Sequence, residues 1–291
     1  MGIELFFSAL AGFGYAVAAI LSKRALGRGC GILRLSFIMN QIFVVVFALL
    51  LPGSAASVAW DQIHLPAITG ALFFAGQVFT FAAIRLGDVS LQTPMMGTKA
   101  VFVVLLAVLF GTEQVTLELG GAALLAATAV ALLGFSGGGV YRAGLSLALA
   151  LSSSLFFAGS DTMVGTFGRE FGPANFLFIA ILTNAVLSFG LIPFFHEPLR
   201  VIPRPALPWS FFAAVCMAGQ ALLLNATLAN YQNVSAINIL YSTRGLWSIL
   251  LAAPLAVLLS LPRESLTRAM LLQRLIGALL MSAAVGLVFL G

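Results

Sequence analysis

The chain alternates between long apolar runs and short polar breaks. Ten apolar segments can be placed, near 3–22, 35–52, 66–86, 90–111, 118–135, 144–166, 174–195, 207–230, 234–260 and 272–290. The breaks carry residues that interrupt regular structure: "GRGCG" at 27–31, "PGSAAS" at 52–57, "GFSGGG" at 134–139 and "HEPLRVIPRP" at 196–205. A helix needs roughly 20 residues to cross a hydrocarbon core of about 30 Å. In that core only helices and closed barrels satisfy their own backbone, and these segments are too long and too uniformly apolar for barrel strands. The pattern predicts an all-α integral membrane protein of ten transmembrane helices, with no soluble domain left over.

Composition agrees with the pattern. Of 291 residues, 61% are hydrophobic and 8% charged, and the mean hydropathy is +1.11. A soluble domain carries about 25% charged residues, so this chain cannot cover a globular surface in water. A net charge of +5 would suggest nucleic acid in a soluble protein. Here the basic residues sit mostly at the breaks, and no nucleic-acid partner is expected. The two cysteines, Cys30 in a basic break and Cys216 in an apolar run, form neither a disulfide framework nor a metal site. The opening "MGIELFFSALAGFGY" lacks a basic n-region and a cleavage site, and is expected to be a retained first span.

Internal repetition adds a second layer. "AGQ" occurs at Ala75–Gln77 and at Ala218–Gln220, and "VS" opens the fourth segment at Val89–Ser90 and the ninth at Val234–Ser235. At the latter offset of 145 residues, Thr98–Lys99 falls on Thr243–Arg244 and Phe102 on Trp247. Residues 1–136 and 144–291 therefore read as two copies of one five-helix unit joined by a linker at 137–143. An odd number of spans per copy inverts the second copy. Such inverted repeats are common in secondary transporters, whose binding site lies near the midplane where the copies meet.

That geometry singles out two cations. Lys99 and Arg244 each lie ten residues past the "VS" that opens their segment, about 15 Å along a helix. An ionisable side chain at that depth costs at least about 2.5–3.5 kcal/mol. Tyr241 stands one turn from Arg244, Trp247 lies nearby, and Gln77 and Gln220 occupy equivalent positions in the two copies. An aromatic-walled cavity with two cations suits an organic anion or a zwitterion. The plain alternative is structural. Asp161 in "FFAGSDTMVG" also lies inside a segment and can pair with either cation. One pair leaves one cation over, because Glu4, Asp88, Glu113 and Glu118 all fall at segment ends. The two glutamines have their own alternative as interhelical hydrogen-bond glue.

Catalytic signatures are absent. There is no Walker A loop, His64 and His196 both fall in breaks, and no Cys/His or carboxylate cluster suggests a metal. The chain is expected to be no enzyme and to need no cofactor.

The two five-helix copies and the run "RLGDVSLQTPMMGTKAVFVVLLAVLFGTE" followed by "GGAALLAATAVALLG" resemble the EamA-like branch of the drug/metabolite transporter superfamily, over essentially the whole chain. Gly111–Thr112–Glu113 and Gly121–Ala122 match that family's layout, with Pro262–Arg263–Glu264 and Gly277–Ala278 as a looser second set. The resemblance implies a permease that moves amino acids, metabolites or drugs. Plastid phosphate translocators of the same superfamily hold phosphate with basic side chains, and Lys99 and Arg244 resemble that arrangement in kind.

The expected function is secondary active transport of a small anionic or zwitterionic metabolite by alternating access. Lys99 and Arg244 bind the anionic group, Tyr241 and Trp247 pack the organic part, Gln77 and Gln220 add hydrogen bonds, and Asp161 tunes the cations or carries a coupling proton. The alternatives are export of cationic drugs, or a non-transporting scaffold or sensor. The protein is expected in the cell (inner or plasma) membrane, with the bilayer and the substrate as its partners. Eleven of the 14 Lys and Arg fall at the 1/2, 3/4, 5/6, 7/8 and 9/10 breaks. The positive-inside rule then puts both termini outside, whereas the family is usually drawn with both inside.

Overall fold

A computed structural model describes residues 2–53, 60–86, 97–111, 116–134, 143–231, 233–258 and 268–289. Several sequence expectations fall outside these residues: the opening of the fourth segment at 90–96 with Val89–Ser90, Glu113, most of the 137–143 linker, and Pro262–Arg263–Glu264. The described residues are overwhelmingly helical and include no strand. All ten predicted segments contain helix: α1 (Ile3–Gly27), α2 (Ile32–Ala48), α3 (His64–Leu86), α4 (Lys99–Leu109), α5 (Leu117–Gly134), α6 (Ala143–Phe171), α7 (Pro173–Ser188), α8 (Leu207–Tyr231), α9 (Val234–Tyr241) with α10 (Arg244–Leu258), and α11 (Arg268–Val288). Among the described residues, five stretches are long and apolar enough to cross a membrane: Ile3–Gly27, Trp60–Ala83, Leu147–Phe171, Pro173–Phe194 and Arg204–Tyr231.

Two ends differ from the sequence expectation, each for a local reason. The seventh segment is α-helical only to Ser188 and continues as a 3₁₀ helix, Phe189–Phe194. Pro193 donates no N–H and crowds the carbonyl four residues back, which disfavours the wider α spiral there. The ninth segment, expected as one helix, breaks at Ser242–Thr243. There the backbone tightens, with Thr243 N–H donating to the Leu240 carbonyl at 3.0 Å. The hydroxyls of Ser242 and Thr243 also donate to carbonyls, those of Asn238 (2.9 Å) and Leu240 (2.7 Å). Such back-bonding competes with helix continuation. A one-residue joint separates α6 from α7, where Gly172 at φ 97° precedes Pro173 at the first helical position. Only glycine takes that φ without strain, and proline there gives up a donor that would be unsatisfied anyway.

Packing is organised around α6 and α8. The main core runs from Phe43 and Phe47 of α2 through Val164 and Phe171 to Phe176, Leu177 and Ile181 of α7, then to Leu224 and Leu228 of α8 and Ile237 and Tyr241 of α9. A second cluster joins α5 and α11 through Ala122, Ala126, Met281 and Ala284. The pairings come in matched sets. Helix α1 packs on α8 as α6 packs on α3, α2 on α8 as α7 on α3, and α1 on α10 as α6 on α4. Each set follows if α1 to α5 correspond in order to the five segments that begin with α6. Outward-facing positions are apolar as well, among them Val45, Leu49, Leu109, Leu117 and Phe194. At one end the 1/2 and 7/8 breaks meet. Arg34 there pairs with Glu197 at 3.3 Å, and Cys30 packs with Ile202 and Ala206.

Candidate functional site

The two cations open two helical segments. Lys99 is the first residue of α4 and Arg244 the first of α10, each after a two-residue turn, Gly97–Thr98 and Ser242–Thr243. Both turns and both cations keep the 145-residue offset. A cation at a helix N-terminus opposes the helix dipole and costs about 0.3–1 kcal/mol, so neither is there to support its own helix. What offsets that cost differs between them.

Lys99 is paired. Its ammonium contacts a carboxylate oxygen of Asp161, midway along α6, and the two residues are 6% and 4% exposed. The ammonium also lies 5.4 Å from the ring centre of Tyr241. Arg244 has no such partner. Among the described residues no carboxylate lies within ion-pair distance of it, and Asp161 reaches it only through longer-range electrostatics. Its guanidinium instead stands over two aromatic rings, 4.7 Å from the centre of Tyr15 and 4.6 Å from that of Tyr241. Such cation–π contacts contribute about 0.5–2 kcal/mol each. Tyr15 and Tyr241 meet edge to face at 6.1 Å, and the buried Tyr241 hydroxyl donates to Gln220 Oε1 at 3.0 Å.

Helix α1 makes room for this arrangement. A side chain at Gly12 would meet the Tyr241 carbonyl oxygen at 3.2 Å and the Arg244 backbone nitrogen at 3.3 Å, and one at Gly14 would meet Gln220 Cβ at 2.9 Å. The missing Cβ atoms let α1 lie directly against the break and against α8, with Tyr15 laid under Arg244. Tyr15 and Gly12 were not singled out by the sequence reading. Their signal is the run "AGFGYA" at 11–16, where two glycines and a tyrosine interrupt an apolar helix.

The expected site residues divide into three groups. Lys99, Asp161, Arg244, Tyr241 and Gln220 come together. Trp247 finds its ring contact elsewhere: it packs edge-on against Phe13 at 5.4 Å, two residues and hence about 200° around α1 from Tyr15. Gln77 sits in a separate amide cluster. It exchanges hydrogen bonds of 3.0 Å with Asn40, accepts one from Ser36 at 3.2 Å, and donates to Asn184 at 3.4 Å. Gln77 of α3 thus joins Asn40 of α2 to Asn184 of α7. No group of three or more potential metal-ligating side chains occurs among the described residues.

No family model and no curated protein matches the chain. A solved crystal structure at 17% identity superposes with a TM-score of 0.72, over 97% of this chain and 96% of that one. That likeness carries the fold alone: a full-length helical architecture shared at an identity where side-chain chemistry is free to differ.

Proposed function

We propose that the chain is a secondary transporter of small organic anions or zwitterions, set in a membrane as two inverted five-helix repeats and working by alternating access. The observation that carries this is the surplus cation. Lys99 and Arg244 sit at equivalent helix starts around one buried tyrosine, and among the described residues only Lys99 has a carboxylate within ion-pair distance. A cation kept on aromatic faces, without a counter-charge, is a receptor for an anion brought from outside. Discontinuous helices that aim their N-termini at an anionic group are a recurring way to build such a site near the midplane of transporters.

The membrane setting is supported by five sufficiently long apolar helices and by large apolar residues facing outwards. The inverted repeat is supported by the matched packing pairs and by the shared offset of the two helix starts. Membership of the EamA-like branch rests on the sequence resemblance. A non-transporting scaffold is the second reading, favoured by the Lys99–Asp161 contact, which needs no ligand; it leaves Arg244 unaccounted for.

The test is ligand stabilisation of the purified protein against separate panels of organic anions, amino acids and cationic drugs, followed by flux into liposomes for any that bind. Organic anions or amino acids should raise the melting temperature of the wild type and leave Arg244→Met unchanged. Stabilisation by cationic drugs alone, or equal responses of the two proteins, would overturn the assignment.

A further inference from the structure

The charges around Tyr241 do not cancel. Counted formally, Lys99 and Arg244 contribute two positive charges and Asp161 one negative, leaving a net +1. The groups that face Asp161 are Lys99 from α4, Arg244 from α10 and Tyr241 from α9, with Tyr15 of α1 behind Arg244. The middle lengths of α2, α3, α7 and α8 contain no charged side chain among the described residues. Nothing else in the described interior therefore offsets that single charge. In a buried site an uncompensated charge is costly, and opposite charges that cancel are favoured strongly.

We propose that Asp161 sets the valence of the accepted anion at one, with Arg244 as the receiving group and the Lys99–Asp161 pair left intact. The inference rests on the anion-transport reading and makes it narrower. Arg244 is suited to the part in two ways. It is mostly buried but keeps some exposure, whereas Lys99 and Asp161 are closed off. Its ring contacts also leave the planar fork of N–H donors free of any carboxylate, and that fork matches a carboxylate in bidentate geometry. Lys99 has its charge committed to Asp161. A monocarboxylate on Arg244 brings the site to zero. A dianion brings it to −1, and binding must then draw a proton from the aqueous phase, onto Asp161 or onto the ligand itself.

Two probes on the same aromatic ring separate the cases: benzoate with one charge, and phthalate with two near pH 7.5. Affinity and linked proton uptake are read by calorimetry in buffers of different ionisation heat, on the full chain in detergent. Wild type should favour benzoate by at least about tenfold, the equivalent of one pKa unit of charge interaction. It should take up about one proton for each phthalate bound. Asp161→Asn raises the site to +2 and should reverse the preference, with no proton uptake. Lys99→Met with Asp161→Asn restores +1 and should restore the preference for benzoate. An unchanged preference in Asp161→Asn overturns the inference. So does phthalate binding to wild type without proton uptake, a result that needs no variant to fold. Wild type that binds neither probe but is stabilised by cationic drugs fails the transport reading itself, which is a distinguishable result.

Discussion

Replacing Lys99 by methionine tests what holds the centre of the molecule together. The change keeps most of the apolar stem and removes the charge, so Asp161 is left buried beside a thioether. Breaking a buried pair from one side costs about 3–5 kcal/mol, because the remaining charge has lost its counter-ion. Two effects reduce that figure. Proton uptake by the stranded carboxylate recovers part of it, and removing a cation from the N-terminus of α4 returns about 0.3–1 kcal/mol. The expected loss is therefore about 2–4 kcal/mol. Adding Asp161→Asn removes the stranded charge, and the double variant should return to within about 1.5 kcal/mol of wild type. Equilibrium unfolding in mixed detergent micelles, followed by helical circular dichroism, measures the four corners of this cycle. A coupling energy below about 0.5 kcal/mol, the level of independent sites, would refute the pairing.

Three further outcomes follow from the geometry. Gly12→Val places a branched side chain against the Tyr241 carbonyl and Arg244 nitrogen, and should cost about 1–3 kcal/mol as an overpacked contact; unfolding indistinguishable from wild type would mean that α1 does not lie against the break. Gln77→Leu removes the amide that joins Asn40 and Asn184. Each buried group left without a partner costs about 1–3 kcal/mol, so a stability change within about 0.5 kcal/mol would count against that cluster. For orientation, a single cysteine at Ser265, with Cys30→Ala and Cys216→Ala, should resist a membrane-impermeant thiol reagent in intact cells, since the basic breaks are expected inside; ready labelling would place the 9/10 break outside.

Local information was sufficient for much of the architecture. Apolar runs of nearly uniform length, punctuated by glycine and proline, specify helices because the backbone hydrogen bonds of a helix are satisfied within each segment, whatever it packs against. The offset that relates Lys99 to Arg244 was legible for the same reason, since repetition is a property of the string. Asp161 was legible as the one acidic residue inside a predicted segment and away from its ends.

The tertiary structure decided what these residues meet. The string allowed Asp161 to pair with either cation; packing of α6 against α4 settled it on Lys99. Trp247 looked like a wall of the cavity by its spacing, yet α1 approaches on a side that gives it to Phe13 and gives Arg244 to Tyr15. The break at Ser242–Thr243 lay hidden in a run that reads as one helix. It depends on hydroxyls finding carbonyls and on Gly12 of a distant helix lying against the gap. Helical periodicity fixes which residues share a face. Which face meets which neighbour, and where a helix yields to let another in, is set by close packing between segments far apart in the chain, and no single segment encodes it.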